Sequence, residues 1–263
     1  MTTPLANYED ERRAFEALLE PECQTRILLL HGASGCGKTT LLTYYRQRVP
    51  PSWLCLSIQL RSSAVSIAEI FYRAGRVLTW ERFPTFMTQV ADFQELPTVQ
   101  IDHNQIIGMD NRITVALTTG DPADRGQRQT ALTDAWFDDL SRFQRPVLIL
   151  FDTYNDAITD VQEWLSGPFL ARTEQAQSVR IVIAGQQVPD HHNIEWGHCC
   201  TLRQLYGVRE ARHWMPVVQN MQRLIPFDNP EAWLAGVCHA LEGDPQKIMK
   251  VIEGLQRLPE VRV

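Results

Sequence analysis

The run Gly32-Ala33-Ser34-Gly35-Cys36-Gly37-Lys38-Thr39 directly follows the apolar stretch Ile27-Leu28-Leu29-Leu30-His31 and directly precedes Thr40-Leu41-Leu42-Thr43-Tyr44-Tyr45. Strand, glycine-rich loop and helix start therefore stand in immediate succession. Such a loop cradles phosphate, because successive backbone N–H groups and the positive end of the following helix surround the anionic oxygens of a nucleotide. All of Gly32 to Thr39, with Thr40, are candidate nucleotide contacts. Lys38 would neutralise the β- and γ-phosphates and Thr39 would offer its hydroxyl to Mg²⁺. A Gly/Ser loop at a helix C-terminus is the bland alternative, and both flanks argue against it.

The 263 residues exceed one typical domain by a modest margin. They fit a nucleotide-binding α/β domain over 1–200 and a small helical lid over 201–263. No apolar run approaches the about 18 residues a membrane-spanning helix needs, and Met1 to Asp10 lacks a basic, then apolar, leader. A cytoplasmic protein with no membrane partner is expected. The 6 cysteines are scattered except for Cys199-Cys200, which suits a reducing compartment better than a disulfide framework. A net charge of −6 without a basic tail weighs against a nucleic-acid partner.

Tyr8 to Leu19 reads as an amphipathic helix ended by Pro21. The helix after the phosphate loop runs to about Arg48, and Trp53 to Ile58 follows as a second strand. Val65 to Leu78 reads as a helix. Val99 to Leu117 alternates apolar and polar residues around Gly108 and Asp110-Asn111, the pattern of a small β insert. Thr118 to Gln129, with Gly120, Asp121-Pro122 and Gly126, is the best candidate for a mobile loop.

The run Pro146-Val147-Leu148-Ile149-Leu150-Phe151-Asp152 is a strand apolar enough to be buried on both faces and ends in an acid. Beside a phosphate loop, Asp152 would hold Mg²⁺; by itself it could equally cap a helix. The long separation of Lys38 from Asp152 leaves room for an extra strand between theirs, the arrangement in which a glutamate beside the Mg²⁺ acid orients the attacking water. Thr153 stands where that second acid is expected, and Asp156, one helical turn on, is the candidate base; a capping role serves either residue as well. Another strand, Val179 to Gly185, leads into Gln186-Gln187.

The order of these parts, with Leu205-Tyr206-Gly207-Val208-Arg209-Glu210-Ala211 and Gly243-Asp244-Pro245 after them, resembles the STAND class of signal-transduction ATPases, an AAA-related group that includes the NACHT and NB-ARC modules. The resemblance implies a P-loop NTPase fold: a three-layer αβα sandwich with a mainly parallel sheet, followed by a small helical domain. It implies ATP or ADP with Mg²⁺, a γ-phosphate contact from Gln186, and a contact of Gly243 and Pro245 with the adenine side. Pro245 at a helix start also satisfies local sterics. Family members often carry arginine where Gln186 stands and a second acid where Thr153 stands, so slow hydrolysis is expected. The resemblance further implies a switch whose nucleotide state controls assembly with itself. Since no sensor or effector segment follows residue 263, a separate sensor or effector chain is the other expected partner.

Two other functions stay open. A small-molecule phosphotransferase would need arginines such as Arg125 and Arg128 in a closing lid, and a DNA-associated loader-type ATPase would need a basic surface that the acidic balance disfavours. His191-His192 with His198-Cys199-Cys200 has metal-binding chemistry, but adjacent ligands are expected to point apart.

Overall fold

The structure, a computed structural model, describes residues 5–61, 65–94 and 108–257. Its strands are β1 (Ile27–Gly32), β2 (Leu54–Gln59), β3 (Val147–Asp152), β4 (Val179–Gly185) and β5 (Cys200–Leu205). β3 and β4 are buried at every position, as strands covered on both faces must be. All pairings are parallel, and the 5-stranded sheet has the order β2-β3-β4-β1-β5. The extra strand anticipated between the phosphate-loop strand and the acid's strand is β4.

Strand alternation divides the core in two. Leu28, Leu30, Leu148, Leu150, Val182 and Ala184 face α1 (Glu9–Leu18) and α2 (Lys38–Arg48). Ile27, Leu29, Ile149, Phe151, Ile181 and Ile183 face the opposite layer. That layer contains α3 (Ile67–Leu78), α4 (Pro84–Asp92), α5 (Met109–Thr118), α6 (Pro122–Ser141), α7 (Thr159–Trp164) and α8 (Leu170–Gln175). The chain then returns to the first layer with α9 (Ala211–Asn220), α10 (Pro230–Ala240) and α11 (Pro245–Gly254), which share the core of α1 and α2. The result is the expected α/β P-loop NTPase-type sandwich around a parallel sheet, with helices after it.

Three local expectations are corrected. β5 carries the sheet past residue 200 to Leu205, into the span expected to be helical, and pairs with β1 along its length. The β insert expected over 99–117 lies outside the described residues for 99–107, and its remainder is α5. Gly108, at φ 87, turns the chain into that helix, and Met109, Ile113 and Ala116 bury one helical stripe. The expected mobile loop is the start of α6: the Asp121 carboxylate accepts from Ala123 N at 2.9 Å and Asp124 N at 3.0 Å, with Pro122 in the first turn. Among the described residues no helix is long and apolar enough to cross a membrane.

Candidate functional site

Between β1 and α2 the chain turns through left-handed conformations at Gly35 (φ +81) and Gly37 (φ +90), which a side chain would strain. Gly32 serves close packing instead, since a Cβ there would lie 2.7 Å from Cys36 Sγ and 2.9 Å from the Leu205 carbonyl oxygen. The Lys38 ammonium reaches back over the loop and donates to the carbonyls of Gly32 and Ala33, both at 2.7 Å. The Thr39 hydroxyl donates to Asp152 Oδ2 at 2.8 Å, which brings the ends of α2 and β3 together. Asp152 is only 8% exposed. A hydroxyl and a carboxylate side by side are hard oxygen donors and fit Mg²⁺.

A cavity of ≈ 480 Å³ opens over this loop. Of the residues singled out in the sequence, it is lined by Ser34, Gly35, Gly37, Lys38, Thr39, Thr40, Asp152, Thr153, Asp156, Gln186 and Pro245. Gly32, Ala33, Cys36 and Gly243 do not line it. Arg61 and Lys250 add positive charge to the lining, and Leu5, Ala6, Trp214 and Met249 give it an apolar part. This combination suits a ligand with an anionic end and a flat apolar end. Arg125 and Arg128 do not line it: both sit on α6, and Arg128 donates to the Phe93 carbonyl at 3.2 Å.

The Gly243-Asp244-Pro245 turn leans on the phosphate loop. Asp244 caps α11 by accepting from Gln246 N at 3.0 Å and Lys247 N at 3.1 Å, and the Lys247 ammonium lies 3.3 Å away. Burial works to raise the Asp244 pKa, but these donors outweigh it and hold the carboxyl below the usual range. Gln246 N also donates to the Gly35 carbonyl at 3.2 Å. Gly243, left-handed at φ +73, accepts from Val208 N at 2.7 Å.

Several site residues were not singled out from the sequence. Tyr8 sits just before α1 at φ 73, and its hydroxyl donates to the Cys36 carbonyl, bracing the loop from below. Burial, then the nearby Cys36 and Glu11, pushes the phenol pKa far up, so it stays a donor. In the sequence Tyr8 belongs to the amphipathic helix that opens the family-like order of parts, with no role at the loop assigned to it. Asp156 is engaged on both oxygens: Asn155 Nδ2 donates to Oδ1 at 2.6 Å, and Arg61 Nε lies 3.6 Å from Oδ2. Thr153, in the place of the second acid, has φ 62, an outlier for a β-branched residue. Gln186 donates its N–H to Asn155 Oδ1 at 2.8 Å and accepts from His31 Nε2 at 2.9 Å through its carbonyl. No local motif marks Arg61, Asn155 or His31, because strand order alone brings them together.

The adjacent histidines do not point apart as expected. The rings of His191 and His192 lie 3.9 Å apart, and with Asp190 their ligand atoms fall within 4.8 Å of one another on an exposed loop. His198 instead faces Glu174 at 3.4 Å, and Cys199 is buried against the Trp196 carbonyl.

The family model of the AAA ATPase domain matches residues 8–183, from Tyr8 into β4. That is more than half of the chain. A Walker-type ATPase of Pyrococcus abyssi superposes with a TM-score of 0.51 at 14% identity, covering 96% of this chain and 69% of that one. Cdc6p of Pyrobaculum aerophilum gives 0.47 at 12% identity over 94% of this chain and 60% of its own. No curated protein sequence matches. The chain belongs to the AAA ATPase domain family.

Proposed function

We propose that this AAA-type ATPase works as a nucleotide-operated switch of the STAND kind, in which ATP or ADP at the phosphate loop sets the position of the helical segment after β5. The observation that carries the reading is the direct contact of the α11 turn with the loop, through Gln246 N on the Gly35 carbonyl and Asp244 against Gly35. A loop that rearranges around phosphate must disturb that contact.

Bound nucleotide with Mg²⁺ supplies the charge and the scissile phosphate. Lys38 pairs with the phosphates in exchange for the loop carbonyls, and Thr39 with Asp152 holds the cation. Gln186 donates a neutral hydrogen bond to the γ-phosphate, weaker than an arginine would give. Asp156 is the candidate base, and its engagement with Arg61 and Asn155 supports slow turnover. Slow turnover suits a switch, because the bound nucleotide must outlast the signal. Nucleotide present at about 100 times its dissociation constant favours the binding-competent state by roughly 2.7 kcal/mol, enough to make a minor conformer the major one.

In this reading the helical segment contacts the adenine side through Pro245, which lines the cavity, while Gly243 holds that turn through its bond from Val208 N. Its movement controls assembly with a second copy or with a separate sensor or effector chain in the cytoplasm. The test is ATP binding and turnover on the purified chain, with molar mass in ADP and in a non-hydrolysable ATP analogue. Tight binding, slow turnover and a nucleotide-dependent mass are expected. Fast γ-phosphate transfer to an added metabolite at constant mass would overturn the reading.

A further inference from the structure

The carboxyl ends of β3, β4, β1 and β5 are tied together by polar groups. Asn155, just past β3, accepts the Gln186 N–H at 2.8 Å. The Gln186 carbonyl can only accept, so the proton in its 2.9 Å bond belongs to His31 Nε2. The other ring nitrogen, Nδ1, faces the Gln204 side-chain amide, which donates to it through its NH2 when Nε2 carries the imidazole proton. Register explains the meeting: His31 lies opposite Gly185 of β4 and Gln204 of β5, so both neighbours stand level with it. Gly185 makes the turn beside it feasible, since a Cβ there would lie 2.1 Å from the Gln187 carbonyl oxygen and 3.2 Å from Asn155 Oδ1.

The same chain of contacts continues into the helical segment. Past Gln204, β5 ends at Leu205, and Val208 N donates to the Gly243 carbonyl at 2.7 Å. Gly243 precedes the Asp244 cap, and Gln246 N closes the path on the Gly35 carbonyl at 3.2 Å. The residue placed to read the γ-phosphate and the turn that leans on the phosphate loop are thus connected through one imidazole.

We infer that His31 is a positioning residue that relays the nucleotide state at Gln186 to β5 and so to the helical segment. The inference rests on the switch reading, in which Gln186 faces the γ-phosphate. A shift of the Gln186 main chain must either drag the imidazole, and Gln204 with it, or break one of its two bonds. An aliphatic residue at position 31 would leave Gln186 free to move alone.

The experiment uses the full chain as wild type, His31→Ala, Gln204→Leu and His31→Gln. It measures dissociation constants for ADP and a non-hydrolysable ATP analogue, and amide hydrogen exchange over 205–208 and 243–246 in each nucleotide. In the wild type, exchange differs between the two nucleotides. In His31→Ala and Gln204→Leu that difference is lost, and the ratio of the two dissociation constants moves toward one by about fivefold or more. His31→Gln, whose amide still donates to the Gln186 carbonyl, recovers part of both. Should His31→Ala fail to fold, Gln204→Leu on the edge strand breaks the same link from the other side. Wild-type exchange differences in both broken-link variants would overturn the relay and leave the switch standing. Identical exchange of the wild type in the two nucleotides would overturn the switch and the relay together.

Discussion

The two faces of the sheet are held by different interactions. Against α3 to α8 the core is a continuous set of aromatic rings: Phe71 lies 5.0 Å from Phe86 and 5.3 Å from Trp164, and Trp164 lies 4.7 Å from Phe169. Against α1, α2 and α9 to α11 the strands present leucines, a valine and an alanine, and the contacts that fix the layer near the loop are hydrogen bonds: Tyr8 to Cys36, Thr39 to Asp152 and Gln246 to Gly35. Dispersion and burial of large rings are lost only when packing is lost. Hydrogen bonds to a phosphate loop can be exchanged for bonds to phosphate at little net cost. The aromatic face therefore depends on packing, and the loop face adds, to a core in which Phe15 stacks on Tyr45 at 3.9 Å, hydrogen bonds that phosphate can replace.

Substitutions separate the two. Trp136→Ala removes a side chain only 2% exposed from the aromatic face and is expected to lower stability by about 3–5 kcal/mol, seen in denaturant unfolding, with nucleotide affinity of the folded fraction unchanged. A loss below about 1 kcal/mol would contradict the division. Lys38→Ala does the reverse: nucleotide affinity by calorimetry falls roughly 10- to 150-fold while the melting temperature without nucleotide barely moves. Unchanged ATP affinity would overturn the site assignment, and Asp152→Ala should keep binding but remove its Mg²⁺ dependence. Tyr8→Phe leaves the Cys36 carbonyl without its donor and is expected to cost about 1 kcal/mol, with faster exchange of the loop amides.

The smallest effect is one of pH. The folded Asp244 carboxyl titrates below its ordinary 3.8, so its capping contribution is complete above that value and fades as pH falls through the lower folded-state value. Stability of the wild type measured from pH 5 downward (about one unit above the ordinary value) should fall more steeply than that of Asp244→Ala. Parallel curves would mean that the cap does not hold the turn.

What was legible in the sequence follows the same contrast. β1, β3 and β4 were visible because strands covered on both faces need unbroken apolar runs, and the phosphate loop because its glycines and lysine answer a local steric and electrostatic demand. β5 was missed because Cys200-Thr201-Leu202-Arg203-Gln204-Leu205 is an edge strand, half-buried except at Leu205. Ile113, Val115 and Leu117 alternate like a strand, yet Met109, Ile113 and Ala116 are the residues that bury, at helical spacing. Asp121-Pro122 read as a loop although the pair is equally a helix cap and first turn. Lys38, Thr39 and Asp152 could be assigned roles from motif chemistry. Tyr8, Arg61, Asn155 and His31 could not, because their neighbours in space come from strand order, which no local pattern encodes.

A helical segment that moves with the nucleotide at the phosphate loop must differ between its ADP and ATP states. The most direct measurement is the molar mass and the hydrogen exchange of residues 205–254 in ADP and in a non-hydrolysable ATP analogue. Both should change between the two nucleotides, and Lys38→Ala should abolish the change. Equal mass and equal exchange, with both nucleotides tightly bound, would contradict that movement.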